Sequence, residues 1–343
     1  FVARTHRAIW QVVKEQGVLM SNLLVAGKLH PAGEKLLERL ETDGVVHVDY
    51  IQEVSEASYA PLIHKADALV IRTQRLSADT IAMATKLKVV SRHGVGYDSV
   101  DLSALNARKI ALTIVGDVNS VSVAEHSMMQ LLAAAKRVLR SDLAVREPDN
   151  WEWRNNLEQQ EISGKRLLIL GYGRIGRHLA RMASGFEMEV KAYDPFLEKK
   201  GWPEGTVEPI SNLNEGLAWA DCISVHIPKG DKPAIGADEI ARMKAGVIIA
   251  NTARGGVICE KALADALASG QVGAAGLDVF EQEPPLKGSP LFAYDNAVLS
   301  PHTAGLTREC SERMALASIH NAVNYLSGRI DRSLIVNAET IDA

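Results

Sequence analysis

The feature that most constrains this chain is the stretch from Lys165 to Pro195, KRLLILGYGRIGRHLARMASGFEMEVKAYDP. Its opening apolar run, Leu167 to Leu170, has the length and composition of a buried parallel strand. Gly171, Gly173 and Gly176 follow in G-x-G-x-x-G spacing, merging into a helical pattern through Ile175, Leu179 and Met182. A second short run, Met188 to Tyr193, ends at Asp194. In such a unit the first glycine permits a tight turn and the second lets the backbone approach a pyrophosphate. The third lets the helix pack closely on the strand. The helix that starts there aims unpaired N–H groups and the positive end of its dipole at phosphates. Asp194 stands about 20 residues on, where a carboxylate accepts from both ribose hydroxyls. Strand, glycines, helix and acid together predict a bound dinucleotide. The acid favours NAD over NADP because it repels a 2′-phosphate, while Lys199 and Lys200 close behind keep NADP as the lesser option.

A chain of 343 residues is long enough for two domains with cores of their own. Its 47% apolar and 23% charged residues are those of an ordinary globular protein. A net charge of −4 offers no basic field, which argues against nucleic acid as a partner. Cys222, Cys259 and Cys310 lie far apart, with neither CxxC nor metal-ligand spacing. They point to a reducing compartment, no disulfide framework and no metal. No apolar stretch approaches the roughly 20 residues needed to span a bilayer, so a cytoplasmic protein is expected. Residues 1–19 lack an initial methionine and precede Met20-Ser21-Asn22. Arg4 and Arg7 give them a weakly amphipathic pattern that raises a transit peptide, but Glu15 and their shortness favour an N-terminal extension.

From Leu23 onward short apolar runs alternate with helical stretches. Strands are expected at Leu23–Ala26, Val45–Asp49, Ala68–Ile71, Val89–Ser91 and Ile110–Val115. Helices are expected at Pro31–Leu40, Ala57–Ala66, Ser77–Ala84 (capped by Ser77) and Asp101–Arg108. Val121–Leu139 reads as one continuous helix, followed by a polar stretch, Arg146–Ile162, bearing Trp151 and Trp153. After the glycine motif the alternation resumes, and Arg308–Ser327 reads as a last long helix. The expected fold is α/β with two doubly wound parallel-sheet domains. A Rossmann NAD domain, 119–305, is inserted into a smaller flavodoxin-like substrate domain made of 20–118 and 306–343. Two chain crossings would then flank a cleft where substrate meets cofactor at the carboxyl ends of the strands.

Three stretches at strand ends carry chemistry: Asn251–Gly256, Gly276–Pro284 and Ser300–Gly305. They contribute Arg254, Glu283 and His302. Histidine shuttles protons near neutral pH, and a neighbouring carboxylate favours the imidazolium and fixes its tautomer. Arginine offers a planar fork to a substrate carboxylate.

On RHGVGYDSVD (92–101), SVAEHSMMQLL (122–132), LGYGRIG (170–176), NTARGGVI (251–258), LDVFEQEP (277–284) and SPHTAG (300–305), the chain resembles the D-isomer-specific 2-hydroxyacid dehydrogenases. It looks most like their D-3-phosphoglycerate dehydrogenase branch. The resemblance implies interconversion of a D-2-hydroxy acid and its 2-oxo acid. Arg254 would bind the substrate carboxylate and polarise the C2 carbonyl, His302 would be the acid/base and Glu283 its partner. It places Gly171, Gly173, Arg174, Ile175, Gly176, Asp194, His226, Pro228, Thr252 and Asp278 around NAD. Val95 and Gly96 would offer backbone N–H groups to the substrate, and a homodimer is implied.

Two departures from the family stand out. An acid is usual where this chain has Cys259; its loss is expected to weaken a helix cap and leave the catalytic residues untouched. Only about 40 residues follow His302, so feedback by serine through a C-terminal regulatory domain is not expected. Arg72, Arg75, Arg92 and His93, at strand ends of the first domain, are candidate cations for a second anionic group, with Arg72 and His93 assigned to substrate. If they face it, 3-phosphoglycerate/3-phosphohydroxypyruvate or a sulfolactate-type acid is favoured; if not, hydroxypyruvate or glyoxylate. Formate dehydrogenase is disfavoured because Glu283 would then be glutamine. The rival class is an NAD(H)-sensing, corepressor-like binding protein.

Overall fold

The computed structural model describes residues 20–205 and 207–342. The expectations for residues 1–19 lie outside the described residues. The chain divides into two compact units, residues 20–119 with 308–342, and residues 120–307.

The first unit is a five-stranded sheet of β1 (Ser21–Ala26), β2 (Val46–Ile51), β3 (Ala68–Ile71), β4 (Val89–Arg92) and β5 (Ala111–Thr113). Its order is β2-β1-β3-β4-β5 and every pair is parallel, the flavodoxin-like arrangement. Leu23 to Ala26 and Ala68 to Ile71 are wholly buried, as continuous apolar runs in a sheet covered on both faces must be. Ser77 caps the helix Ala78–Met83 by accepting from the Thr80 N–H. The returning helix Arg308–Leu326 buries Ala315, Ile319, Ala322 and Val323 against Leu23, Val25, Val70 and Val89. Asn337 then closes the edge: it accepts from the Leu112 N–H and donates to the Ile110 carbonyl.

The second unit is a seven-stranded sheet of β6 (Arg166–Leu170), β7 (Glu189–Tyr193), β8 (Glu208–Pro209), β9 (Cys222–Val225), β10 (Val247–Asn251), β11 (Val272–Leu277) and β12 (Ala297–Leu299). Its order, β12-β11-β10-β9-β6-β7-β8, is the Rossmann winding with an added strand, again all parallel. The strand order reverses between β6 and β9, the point beside which such sheets bind ligands. Among the described residues no helix is long and apolar enough to cross a membrane, and no group of His, Cys, Asp and Glu is placed to hold a metal.

Two sequence expectations change, and a third stretch gains a structure. The single helix expected over Val121–Leu139 is two, Ser120–Ala135 and Val138–Arg146, broken at Arg137 with φ +50°. The apolar pattern runs on through the break, so periodicity carried no mark of it. The helix expected over Ala57–Ala66 is an α-turn, Glu56–Tyr59, continued by a 3-10 helix, Ala60–Lys65. Pro61 lacks the N–H an α-helical bond would need there. The tryptophan stretch contains a 3-10 helix, Pro148–Asn156, that buries no residue.

The seam between the returning helix and the first sheet is testable. Ile319 is fully buried in it, and a Cβ at Gly33 would meet Ala315 Cβ at 2.8 Å. Ile319→Ala is expected to lower unfolding stability by about 2–5 kcal/mol, measured by denaturant titration.

Candidate active site and cofactor cradle

The glycine turn is built for close approach. Gly171 leaves β6 at φ +93°, and a Cβ there would lie 2.7 Å from the His226 carbonyl oxygen. A Cβ on Gly176 would lie 2.3 Å from the Gly171 carbonyl, which is why the helix Arg174–Ser184 can sit so tightly on its strand. At Gly173 the opposite holds: nothing comes within 4 Å of the Cβ position. Gly173 is also the helix N-cap, with no side chain to occupy the first N–H groups and no acid in the first turn. A pyrophosphate fits that open, positively polarised cradle. Arg174 is exposed and Ile175 half-buried on its first turn.

Asp194 ends β7 as expected, but its carboxylate is already engaged. Oδ2 accepts from the Tyr172 N–H at 2.9 Å, tying down the glycine turn. Oδ1 accepts from the Phe196 and Leu197 N–H groups, capping the helix Pro195–Lys200. A carboxylate has about four acceptor sites, so this geometry suits one ribose hydroxyl rather than the two expected. Tyr193, Asp194, Pro195, Glu198, Lys199, Ile210 and Ser211 line a depression beside it. The Trp202 indole N–H and the Ser211 hydroxyl both donate to Glu198 and hold its carboxyl below the usual range. Two carboxylates and the Lys199 ammonium thus share one depression.

His226 adds a carbonyl wall behind Gly171 and bonds Ser224 Oγ through Nε2 at 2.8 Å. Burial pushes its ring down to about 3, so it is neutral. Pro228 is exposed just beyond it. Thr252, nearly buried, pairs its hydroxyl with Ser127 at 2.7 Å.

Arg254, Glu283 and His302 all belong to the second unit. Asn251, ending β10, bends its backbone into a tight turn: Oδ1 accepts from the Ala253 N–H and Nδ2 donates to the Arg254 carbonyl. Arg254 emerges half-buried, its Nη1 donating to the Ala253 carbonyl. Glu283 Oε2 lies 2.7 Å from His302 Nδ1, while Oε1 accepts from the Phe280 N–H at 3.1 Å. With Nδ1 taken, Nε2 is the nitrogen left for a substrate, and the imidazole is half-exposed. His302 sits at φ +53°, a left-handed conformation that a non-glycine residue holds only when its surroundings impose it.

Asp278 imposes it. Its carboxylate is wholly buried and accepts from Ser300 Oγ at 2.6 Å and from the Thr303 and Ala304 N–H groups, both at 2.8 Å. It anchors the loop that carries His302. Behind it, Gln130 Nε2 donates to Ser300 Oγ at 3.2 Å and His126 Nε2 lies 2.8 Å from the same oxygen. Ser300 gives its proton to Asp278, so His126 is the donor in that contact. Motif reading overlooked Asn251, Ser300, His126 and Gln130 as supports. The available signal was a polar pair, His126 and Gln130, four residues apart on one helix.

The substrate candidates Arg72, His93, Val95 and Gly96 belong to the first unit, at the carboxyl ends of β3 and β4. Arg72 is half-buried; Nη1 donates to the Lys28 carbonyl at 2.5 Å and Nε is buried without a partner. His93 was expected among the cations, and this is corrected. Burial, with Arg72 adding to it, pushes its ring down to about 3, so it can offer a hydrogen bond but no charge. Val95 and Gly96 are half-exposed in a loop pinned by the Gly94 N–H to the Arg92 carbonyl and the Val115 N–H to the Gly94 carbonyl. Arg75 is exposed, and its carbonyl accepts from the Tyr59 hydroxyl.

Two outcomes follow. Gly173→Ala is expected to fold like the parent yet weaken NADH binding about tenfold or more, since the methyl enters only the cradle. Gly176→Ala is expected to lower both stability and binding; fluorescence titration and thermal melts separate the two. His93 and His226 are neutral when folded but titrate near 6.5 when unfolded, so the unfolded chain binds more protons below that pH. Stability is therefore expected to fall as pH drops from about 6.5 towards 3, by up to about 1.4 kcal/mol per pH unit for each ring. His93→Asn should flatten that slope in acid denaturation of the first unit.

Residues 128–304 match the family described as D-isomer specific 2-hydroxyacid dehydrogenase, NAD binding domain. The D-3-phosphoglycerate dehydrogenase of Archaeoglobus fulgidus is 35% identical over 301 residues, 87% of this chain and 56% of that protein. This chain thus spans little more than half of that relative. The glyoxylate reductase of Korarchaeum cryptofilum is 36% identical over 285 residues, 81% of this chain and 85% of that protein. The TT0316 protein from Thermus thermophilus superposes with a TM-score of 0.82 at 32% identity, covering 92% of this chain and 99% of that one. A glycine turn made for phosphates, a carboxylate-bound histidine at a strand end and these relatives agree: the chain belongs to the D-isomer specific 2-hydroxyacid dehydrogenase family.

Proposed function

We propose that this chain interconverts a D-2-hydroxy acid and its 2-oxo acid with NAD, most favourably 3-phosphoglycerate and 3-phosphohydroxypyruvate. The observation that carries the reading is the 2.7 Å contact between Glu283 and His302 in the same unit as the dinucleotide cradle. When bound, the nicotinamide supplies or takes the hydride at C2. Arg254 holds the substrate carboxylate in its fork and polarises the C2 carbonyl. In the reducing direction His302 Nε2 gives its proton to the C2 oxygen, and in the oxidising direction it takes the hydroxyl proton. Glu283 keeps Nδ1 protonated and offsets the charge on the ring. Arg72 supplies the cation for a C3 phosphate, His93 a neutral hydrogen bond, and the Val95 and Gly96 backbone two N–H donors. Hydroxypyruvate or glyoxylate is the alternative substrate, favoured by the likeness to a glyoxylate reductase over most of that protein's length.

The same reading takes the chain to be a homodimer. Val138, Leu139, Val145, Trp151 and Leu157, 46–86% exposed, form an apolar run on the helix Val138–Arg146 and the segment after it. A second copy of the chain would cover these side chains.

NADH oxidation against 3-phosphohydroxypyruvate, sulfopyruvate, hydroxypyruvate, glyoxylate and pyruvate tests the proposal. Turnover is expected to be fastest with 3-phosphohydroxypyruvate, and His302→Ala to lower kcat by about 100-fold or more. Arg72→Ala should raise KM for the phosphorylated acid more than for glyoxylate. Tight NADH binding with no turnover on any acid would favour an NAD(H)-sensing protein instead.

A further inference from the structure

The helix Glu260–Ser269 begins just after the Arg254 loop, and Cys259 at its N-cap makes no side-chain bond to the helix. A thiol is a poor acceptor, so the first N–H groups need another partner. The loop after β11 provides one. The Glu260 N–H donates to Glu281 Oε1 at 2.9 Å, and the Glu281 N–H donates to Glu260 Oε1 at 2.5 Å. The carboxylate of Glu281 thus lies against the positive end of a helix 21 residues away in sequence. Beside this reciprocal pair the two loops have no space between them. A Cβ on Gly255 would fall 1.6 Å from the Phe280 carbonyl oxygen and 2.8 Å from the Glu281 nitrogen. The same loop then orients the acid–histidine pair: the Phe280 N–H holds Glu283 Oε1, leaving Oε2 for His302. Residues 281–284 are all exposed, so packing does little to restrain them.

We propose that Glu281 is a positioning residue. Its reciprocal bond with Glu260, backed by Gly255, clasps the Glu283 loop to the Arg254 loop and sets the two in register. The inference rests on the proposed roles of Arg254, Glu283 and His302. It also revises the sequence expectation for Cys259: the cap that cysteine fails to provide comes from the loop of the catalytic acid, so capping and catalytic geometry are coupled.

The test uses the full chain with the best acid of the substrate panel. Glu281→Ala is expected to lower kcat about tenfold and to shift the pH profile of kcat, with NADH affinity unchanged. Glu281→Gln, which keeps an acceptor oxygen, should recover activity to within about threefold of the parent. Cys259→Asp added to Glu281→Ala restores a side-chain cap, so it should recover the melting temperature and leave kcat low. Recovery of kcat in that double variant, or a Glu281→Ala protein that melts earlier yet keeps its kcat and pH profile, would overturn the clasp. His302→Ala separates the two levels of inference. If it stays active, the catalytic reading has failed; if it is inactive while Glu281→Ala is unaffected, only the clasp has failed.

Discussion

The loop that carries His302 hangs from one buried carboxylate. Asp278 is fully removed from solvent, and a carboxylate in that position is tolerable only when its oxygens are met by donors. It meets them with a hydroxyl and two backbone N–H groups, all from the five residues that follow β12. Satisfying the acid therefore dictates the path of that loop. The loop in turn presents His302 in a conformation that costs about 1–3 kcal/mol and would not persist on an untethered segment. The need of a buried charge for partners becomes the orientation of an exposed imidazole.

A second layer works in the same sense. His126 and Gln130 are one helical turn apart on Ser120–Ala135, and both reach Ser300. Gly276 permits the approach, because a Cβ on it would lie 2.5 Å from Gln130 Cβ. The helix, the strand and the histidine loop are locked by one serine hydroxyl. At the sheet's switch point, Gly171 and His226 show the complementary tactic. There backbone is packed on backbone, so that no side chain intrudes where phosphates must lie.

Much of this was legible in the residues. Gly171, Gly173, Gly176 and the apolar run before them fixed the winding, since few structures need that spacing, and both sheets have the expected parallel order. The strand-end loops singled out in the residues do bring Glu283 and His302 within 2.7 Å of each other. Three things were not legible. The break at Arg137 lies inside an apolar pattern that continues on both sides of it, and a left-handed residue has no sequence mark when it is not glycine. The neutrality of His93 depends on its burial beside Arg72, which is tertiary. Asp194 was expected to have both oxygens available, but its bonds to Tyr172 and to the following helix arise only once the turn has closed.

The division of labour between the units bears on specificity. The acid–histidine pair and the dinucleotide cradle are properties of the second unit, and chains as differently named as a phosphoglycerate dehydrogenase and a glyoxylate reductase resemble this one at similar identity. A hydride acceptor, a proton donor and a carboxylate fork act on C1 and C2 alone, so they cannot distinguish acids that differ at C3. Discrimination has to come from side chains that touch the remainder of the substrate. In the first unit the strand ends offer a half-buried guanidinium, Arg72, beside an imidazole that burial keeps uncharged. A single cation with a neutral donor binds a phosphate less strongly than two cations would, but it leaves less uncompensated charge when a smaller acid occupies the site. On the proposed roles, the residues that would choose the substrate lie in the first unit and the Asp278 anchor lies in the second, so a change in the former leaves the latter's hydrogen bonds intact.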